Sequence, residues 1–281
     1  MPQKPKPLDP SSSPRAMLGA ELRYHREEKG MSQGELGQPL FVSGAFIGML
    51  EMGVRRMQPE FAVKFDEIFG TGEYFFRNCE VLKKSKYPDH FAEAAEAEAT
   101  ALVIKEYAPL LIPGLLQTEA YARAVFRAYR PTATEEEIDE LVAARLERAK
   151  LLKHPTTPVV WGALDEAVLR RPIGGTAAMA EALRHITALI RRHRIIVQVL
   201  PFAAGAHSGL NGSLKLMEFE EAPTLAYLES IGSGQLVDDP ASVRRYELTY
   251  DLLGATALSP GASLALMESV AEDFEHAEQK S

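Results

Sequence analysis

The hydrophobic positions between 17 and 82 recur every three or four residues in several short segments, which is the spacing of amphipathic helices. The pattern predicts a first helix over 17–29, a short second helix, a third helix over 44–52 and a fourth that begins at Pro59. The apolar residues of the fourth helix fall on one side; they are Phe61, Phe65, Ile68 and Phe69. The first part of the chain is therefore predicted to be all-α.

The two middle helices carry recognisable capping residues. Ser32 and Glu35 form an S-x-x-E capping box, in which each side chain accepts a hydrogen bond from a backbone amide. Ser43 is predicted to cap the third helix, and Gly53 is predicted to end it. Pro39 lies near the end of the second helix, so that helix must stop early or kink.

Strand patterns begin only after residue 158. The segment 91–154 has helical spacing with breaks at prolines. The run 214–219 alternates between apolar and polar residues, which indicates a half-buried strand. The predicted order is β-α-β-β-β-α-α, with strands over 159–161, 195–200, 214–219 and 225–228, and helices over 176–192, 240–254 and 260–274.

These patterns predict an α+β, multidomain fold. It consists of an N-terminal all-α helix-turn-helix bundle, a helical connector and a C-terminal mixed α/β domain with a small sheet. Residues 1–14 hold five prolines and are predicted to form a flexible arm. The helix-turn-helix domain is assigned to 15–82, and the connector with the α/β regulatory or dimerisation domain to 91–281.

Composition narrows the function classes. The net charge of −8 argues against a protein that coats nucleic acid by charge alone, although a local DNA-reading surface is compatible with it. Cys79 is the one cysteine, which excludes an internal disulfide framework and a cysteine-rich zinc site. The sequence contains no secretory signal and no apolar run long enough to cross a membrane, so a cytoplasmic protein is predicted.

Two short helices joined by a tight turn are typical of DNA-reading proteins. The segment LGAELRYHREEKGMSQGELGQPLFVSGAFIGMLEMGVRRMQPE (18–60) resembles the xenobiotic-response-element (XRE) type of helix-turn-helix, which is related to phage repressors. The resemblance implies that Gln33 touches backbone phosphate and that 43–48 starts the recognition helix. It also implies a structural ion pair between Arg26 and Glu51.

The predicted reading surface departs from the family pattern. Base-facing positions in such repressors are usually long and polar, but here they are Gly44, Ala45, Gly48 and Met49. Such residues allow close approach or contact with a thymine methyl group, but no bidentate hydrogen bond. The turn position that is commonly glycine is Phe41. The predicted DNA-contacting residues are Gln33, Ser43, Gly44, Ala45, Phe46, Gly48, Met49, Arg55 and Arg56.

Arg55 and Arg56 follow the third helix and are predicted to contact phosphate or a narrow minor groove. Lys4, Lys6 and Arg15 are expected to add contacts. Two alternatives stay open. The two arginines lie in a solvated loop, or the whole helical bundle has no role in DNA binding.

The segment 91–272 resembles a companion domain of actinobacterial regulators that are described as antitoxin-like. The matching stretches are PGLLQTEAYARAV (113–125), AARLERAKLL (143–152), LDEAVLRRPIGG (164–175), VLPFAAGAHSGLNGSLKLMEF (199–219) and YLES (227–230). The biochemical role of that domain is unassigned. The resemblance implies a transcriptional regulator, commonly encoded beside a small partner protein and linked to development or antibiotic production.

Polar residues cluster at the predicted strand ends of the second part, where pockets are often built. The candidate ligand or partner pocket consists of Asp165, Glu166, Arg170, His207, Ser208, Asn211 and Glu229. The alternative is a β-hairpin with ordinary turn glycines, in which the charged residues cap helices. The H-E-x-x-H, G-x-S-x-G and P-loop motifs are missing, so no enzyme activity, catalytic residue, metal or cofactor is predicted.

The sequence therefore predicts a homodimeric transcription regulator that binds double-stranded DNA and has no membrane partner. A dimer is expected because one recognition helix reads only a half-site. The alternative is an antitoxin-like module that binds a small protein encoded nearby, with DNA binding secondary.

Overall fold

A computed structural model of the chain describes residue 10 and residues 14–81 and 89–279. The predicted arm 1–14, with Lys4 and Lys6, falls outside the described residues except at Pro10 and Pro14. The chain divides into two compact units. Unit 1 comprises 1–100 with 221–223, and unit 2 comprises 101–220 with 224–281.

The described part of unit 1 is helical. Its helices are α1 (Pro14–Glu28), α2 (Gln33–Gly37), α3 (Gly44–Glu51), α4 (Pro59–Phe69), α5 (Tyr74–Val81) and α6 (Asp89–Glu98). The predicted first four helices are confirmed. The apolar side of α4 is confirmed in part, because Phe65 is fully buried whereas the other three predicted residues are half-buried.

The predicted caps form. The Ser32 hydroxyl accepts a hydrogen bond from the Glu35 amide (3.2 Å), and the Glu35 carboxylate accepts one from the Ser32 amide (2.7 Å). The Ser43 hydroxyl accepts a hydrogen bond from the Phe46 amide (3.1 Å). The helix α2 ends at Gly37 and a 3₁₀ turn containing Pro39 follows it, so the proline stops the helix early as predicted.

Two glycines let backbone pack directly on backbone around α3. A Cβ atom at Gly19 in α1 would lie 2.4 Å from the carbonyl oxygen of Glu51. A Cβ atom at Gly37 would lie 2.5 Å from the carbonyl oxygen of Val42. Both distances are far below van der Waals contact, so a side chain at either position would displace α3 or the turn before it.

Unit 2 is built on a six-stranded mixed sheet with the strand order β3-β2-β1-β4-β5-β6. The strands are β1 (Val103–Ala108), β2 (Val159–Asp165), β3 (Ile195–Leu200), β4 (Leu214–Glu218), β5 (Leu225–Ser230) and β6 (Ser233–Val237). The pairs β1–β2 and β2–β3 are parallel, and the other neighbours are antiparallel. The predicted α+β class is confirmed.

Six helices of unit 2 are described: α7 (Glu119–Tyr129), α8 (Glu135–Ala149), α9 (Glu166–Arg170), α10 (Thr176–Arg191), α11 (Pro240–Thr256) and α12 (Pro260–Glu278). The predicted helix over 176–192 and the two proline-initiated closing helices are confirmed as α10, α11 and α12. No helix of the described ranges is long and apolar enough to cross a membrane.

Three predictions for unit 2 are wrong. First, the segment 103–108 was expected to be helical, but it is the central strand β1. Second, the strand β6 was not predicted, so the sheet is larger than expected. Third, the strand β4 is more deeply buried than its pattern indicated. The run 214–219 is not half-buried, because consecutive residues from Leu214 to Met217 are all buried. The cause is the central place of β4 in the sheet, where both faces are covered.

The two faces of the sheet differ in chemistry. On one face, Tyr107 and Leu214 pack with Leu253 of α11 in an apolar core. On the opposite face, Lys215 of β4 lies between Glu106 of β1 and Tyr227 of β5. The distance between Lys215 Nζ and Glu106 Oε2 is 3.1 Å.

Candidate functional site

The first turn of α3 rests on the first turn of α2. A Cβ atom at Gly44 would lie 3.0 Å from the backbone nitrogen of Gly34, so the two helix starts are in close contact. The surrounding exposed residues, here called the α2–α3 surface, are Ser32, Gly34, Phe41, Ser43 and Ala45. Phe41 lies at the turn with a φ of +56° and its residue surface is 98% exposed.

The structure separates the predicted DNA-contacting residues of α3 into two groups. Ser43 and Ala45 are exposed, and Gly44 is half-buried. Phe46, Gly48 and Met49 are buried, so their side-chain positions belong to the core of unit 1 and not to the α2–α3 surface. The Phe46 ring packs edge to face on Phe61, with 5.4 Å between ring centroids.

A buried carboxylate joins three elements of unit 1. Glu51 at the end of α3 is 0% exposed, and its Oε2 atom accepts hydrogen bonds from Arg26 Nη2 (3.1 Å), Arg23 Nε (3.2 Å) and Gln33 Nε2 (2.9 Å). We call these four residues the Glu51 cluster. The implied pair between Arg26 and Glu51 is thus present. Gln33, for which the resemblance implies a phosphate contact, donates a hydrogen bond to Glu51.

The Glu51 cluster also sets the ionisation of Arg26. Burial by itself would lower the Arg26 pKa, but the hydrogen bond and the negative charge of Glu51 outweigh burial and raise it. Arg26 therefore stays charged, and its hydrogen bonds to Glu51 join α1 to α3.

The arginines after α3 are not simply solvated. The Arg55 side chain is 14% exposed, its Nη2 atom lies 3.4 Å from Glu93 Oε2 of α6, and its guanidinium lies 5.3 Å from the Phe46 ring centroid. Arg15 forms an ion pair with Glu96 of α6. Arg56 is half-buried and forms no ion pair with another described residue.

Unit 2 contains a cavity of about 620 Å³ next to the β5–β6 hairpin. The loop before β4, the hairpin, the sheet and α11 all contribute to its wall, and we call it the β5–β6 cavity. It is lined by Tyr107, Ser208, Gly209, Asn211, Gly212, Ser213, Leu214, Leu228, Glu229, Ser230, Ser233, Gly234, Gln235, Tyr246 and Thr249. Ser208, Asn211 and Glu229 of the predicted pocket are brought together here.

Hydrogen bonds fix the wall formed by the loop before β4. The Ser208 hydroxyl donates to the Thr249 carbonyl (2.9 Å), and the Ser213 hydroxyl donates to the Glu229 carbonyl (3.2 Å). A Cβ atom at Gly209 would lie 2.4 Å from the Tyr107 ring. The loop therefore packs against the floor of the cavity at a position that only glycine fits.

The other predicted pocket residues lie away from the cavity. Asp165 caps α9 by accepting a hydrogen bond from the Ala167 amide (2.8 Å), as the alternative interpretation expected. Glu166 accepts hydrogen bonds from Arg170 Nε (2.7 Å) and from the Phe202 amide (2.8 Å). Burial alone would raise the Glu166 pKa, but these hydrogen bonds and the Arg170 charge outweigh burial and lower it.

His207 contacts both Asp165 and two residues that line the β5–β6 cavity, Gly209 and Tyr107. Its Nε2 atom lies 3.7 Å from Asp165 Oδ2, its Nδ1 atom accepts a hydrogen bond from the Gly209 amide (3.2 Å), and its ring lies 5.9 Å from the Tyr107 ring. Burial, and to a smaller extent the negative charge of Asp165, raises the pKa of Tyr107 to about 12. This phenol is therefore neutral at physiological pH.

Sequence reasoning missed four prominent lining residues: Tyr107, Ser233, Gln235 and Tyr246. Two of them lie in β6 and one in β1, the strands that the pattern did not predict. In the part of the chain that the structure describes, no group of three or more His, Cys, Asp or Glu residues could hold a metal ion.

A family model described as "Domain of unknown function (DUF5753)" matches residues 91–269, which is more than half of the chain. The chain belongs to the DUF5753 family. The DUF5753 match begins in α6 and ends in α12, so it includes the whole sheet and every residue that lines the β5–β6 cavity. The predicted resemblance to a domain of unassigned role is confirmed to this extent. No curated protein and no solved structure matches the chain.

Proposed function

We propose that this chain is a DNA-binding transcriptional regulator. In this proposal α2 and α3 form a helix-turn-helix, and unit 2 is a regulatory domain. The observation that carries the proposal is the pairing of α2 with α3. Both helices are short and capped, their first turns touch at Gly34 and Gly44, and α3 exposes its first turn.

The Glu51 cluster supports this function because it holds α3 at its C-terminal end. Glu51 binds Arg23 and Arg26 of α1 and Gln33 of α2, so the direction of α3 is fixed by charged hydrogen bonds. A rigid helix is needed where a few small residues must enter a groove at one defined angle.

The proposed contact residues differ from the larger predicted set. Ser43, Gly44 and Ala45 would approach the base edges, and the exposed amides of the first turn of α3 would face phosphate. Arg56 would contribute the nearby positive charge, because Arg55 is turned towards Glu93. With so few base-reading side chains, two copies would be needed for a specific operator, which favours a homodimer.

The test starts with selection of random duplex DNA by the full chain at about 50 mM and about 200 mM salt. An enriched inverted repeat would give the operator. Ala45→Glu should then weaken operator binding by about tenfold or more, because it places a negative charge on the surface that would face the polyanionic DNA. Val63→Glu is the matched control, since it adds the same charge at an exposed position of α4. Equal affinity of the two variants would overturn the proposal.

A second candidate function is an antitoxin-like module that binds a small protein. The exposed Phe41 favours it, because a phenyl ring that is 98% exposed gains free energy when a partner protein covers it. The pairing of Arg15 and Arg55 with carboxylates of α6 also lowers the positive charge available to DNA. Copurification with the small protein encoded nearby tests it. A complex that forms without DNA and is lost in Phe41→Ser would favour this candidate.

A further inference from the structure

Tyr107 is almost fully buried, with 1% of its surface exposed, and it lines the β5–β6 cavity. Its hydroxyl forms no hydrogen bond with any residue that the structure describes. The hydroxyl oxygen keeps some contact with solvent, so it opens into the β5–β6 cavity, where a ligand can bond it.

Other groups of the lining are polar and, unlike Tyr107, exposed. The side-chain amides of Asn211 and Gln235 form no hydrogen bond with another described residue, and the same holds for the hydroxyls of Ser230 and Ser233. Amides and hydroxyls both donate and accept, so they suit a ligand that itself carries both kinds of group.

The lining supplies almost no charge. It contains no lysine or arginine, and its one carboxylate, Glu229, hydrogen-bonds the Tyr227 hydroxyl, which lies on the opposite face of the sheet from Tyr107. A phosphate or carboxylate would find no cation in this lining, so the lining favours an uncharged ligand. The half-buried side chains of Tyr246 and Leu228 add apolar surface.

We propose that the β5–β6 cavity binds an uncharged small molecule that is built on a ring and carries several hydroxyl or amide groups, the chemistry shared by nucleosides and sugars. The Tyr107 hydroxyl bonds the ligand directly. The volume of about 620 Å³ falls within the range of small-molecule sites. Because Ser208, Ser213 and Gly209 fix the wall, the site exists before the ligand arrives.

The regulatory meaning of this site rests on the proposed function, but ligand binding itself is measured without DNA. The full chain is titrated by calorimetry and ligand-observed NMR with two matched pairs, uridine with uridine 5′-monophosphate and glucose with glucose 6-phosphate. We expect at least one uncharged compound to bind, about tenfold or more tightly than its phosphorylated partner. Uridine alone would identify a nucleoside site and glucose alone a sugar site.

Tyr107→Phe should weaken binding of the uncharged compound about threefold to tenfold, since it removes one hydrogen bond and keeps the ring. Tyr250→Phe is the matched control. Its hydroxyl donates to the Trp161 carbonyl (2.7 Å) in the same core, and Tyr250 does not line the cavity, so its loss should leave affinity unchanged. Should Tyr107→Phe fail to fold, Asn211→Ala replaces it and should weaken binding to a similar extent.

The inference is overturned if neither uncharged compound binds at about 10 mM, if the phosphorylated compounds bind as tightly, or if Tyr107→Phe and Asn211→Ala retain full affinity. A chain that binds uridine or glucose but selects no DNA keeps this inference and overturns the proposed function. A chain that selects DNA but binds none of the four compounds keeps the proposed function and overturns this inference.

Discussion

Each unit contains a buried charged residue, but the partners are arranged differently. In unit 1, Glu51 accepts hydrogen bonds from side chains of two other helices, all distant from it in sequence. In unit 2, Lys215, which is 5% exposed, lies directly opposite Glu106 on the neighbouring strand. The first arrangement joins helices that have no backbone ladder between them. The pair of Lys215 and Glu106 adds to strands that backbone hydrogen bonds already join.

This difference indicates what each charge contributes to the fold. Helix packing leaves the rotation of α3 open, and the Glu51 cluster fixes it through directional hydrogen bonds. In the sheet, a slip of one residue would move Lys215 to the apolar face beside α11, so the charge pair specifies the register of β4.

The largest effect is expected for Glu51→Ala. Removal of the carboxylate leaves Arg26 buried without its main partner, which should lower the free energy of unfolding of unit 1 by about 3–5 kcal/mol. Amide hydrogen exchange in α1, α2 and α3 measures the change directly. Unchanged protection of these helices would mean that the cluster is dispensable and that the two units do not differ as described.

A smaller effect is expected for Lys215→Met, about 2 kcal/mol, because Glu106 keeps some contact with solvent. Trp161 is the single tryptophan and lies in β2, so its fluorescence during urea unfolding reports on unit 2. Adding Glu106→Leu should recover at least half of the loss, since it removes the unpaired charge. A double variant less stable than Lys215→Met would show that Glu106 has other favourable contacts.

Ser43→Ala should cost about 1 kcal/mol, because the amide of Phe46 loses its cap at the start of α3. Ser43→Thr keeps the hydroxyl and should be nearly neutral. Circular dichroism during thermal unfolding measures both. A loss in Ser43→Ala as large as in Glu51→Ala would mean that local capping, and not the buried cluster, holds α3 in place.

The smallest effect concerns acid stability and Glu166. Its pKa is lowered in the folded chain, so ionised Glu166 contributes stability above the unfolded pKa of about 4.3, and this contribution is lost as the pH falls through the folded value. Between pH 7 and about 3, Glu166→Gln should therefore lose less stability than the native chain. Glu140→Gln, at an exposed position of α8, should behave like the native chain in urea titrations followed by Trp161 fluorescence.

Local signals in the sequence were sufficient for the caps and for most helices. The Ser32–Glu35 box, the Ser43 cap and the prolines at the starts of α11 and α12 act on neighbouring backbone, so their effect can be deduced from a few residues. The exposed side of α3 could not be deduced. Its sequence GAFIGMLE is nearly all apolar, so its periodicity does not distinguish the core-facing Met49 from the exposed Ala45.

The strand β1 escaped prediction for a different reason. Its sequence VIKEYA follows a segment rich in alanine and glutamate and has charged residues at its centre, which is typical of a helix surface. Glu106 is tolerated inside the sheet because Lys215, far along the chain, lies opposite it. The cavity was predicted only in part for the same reason, since Tyr107 reaches it from this strand.

The contact at Gly19 limits which substitutions the junction of α1 and α3 accepts. Because the carbonyl oxygen of Glu51 would lie only 2.4 Å from a Cβ at this position, the backbones of α1 and α3 touch directly at Gly19. Ordinary core substitutions, which shift one helix against another by fractions of an ångström, have nothing to act on there. Substitutions that keep this contact must therefore fall elsewhere, for example on the exposed Ser43 and Ala45 at the start of α3.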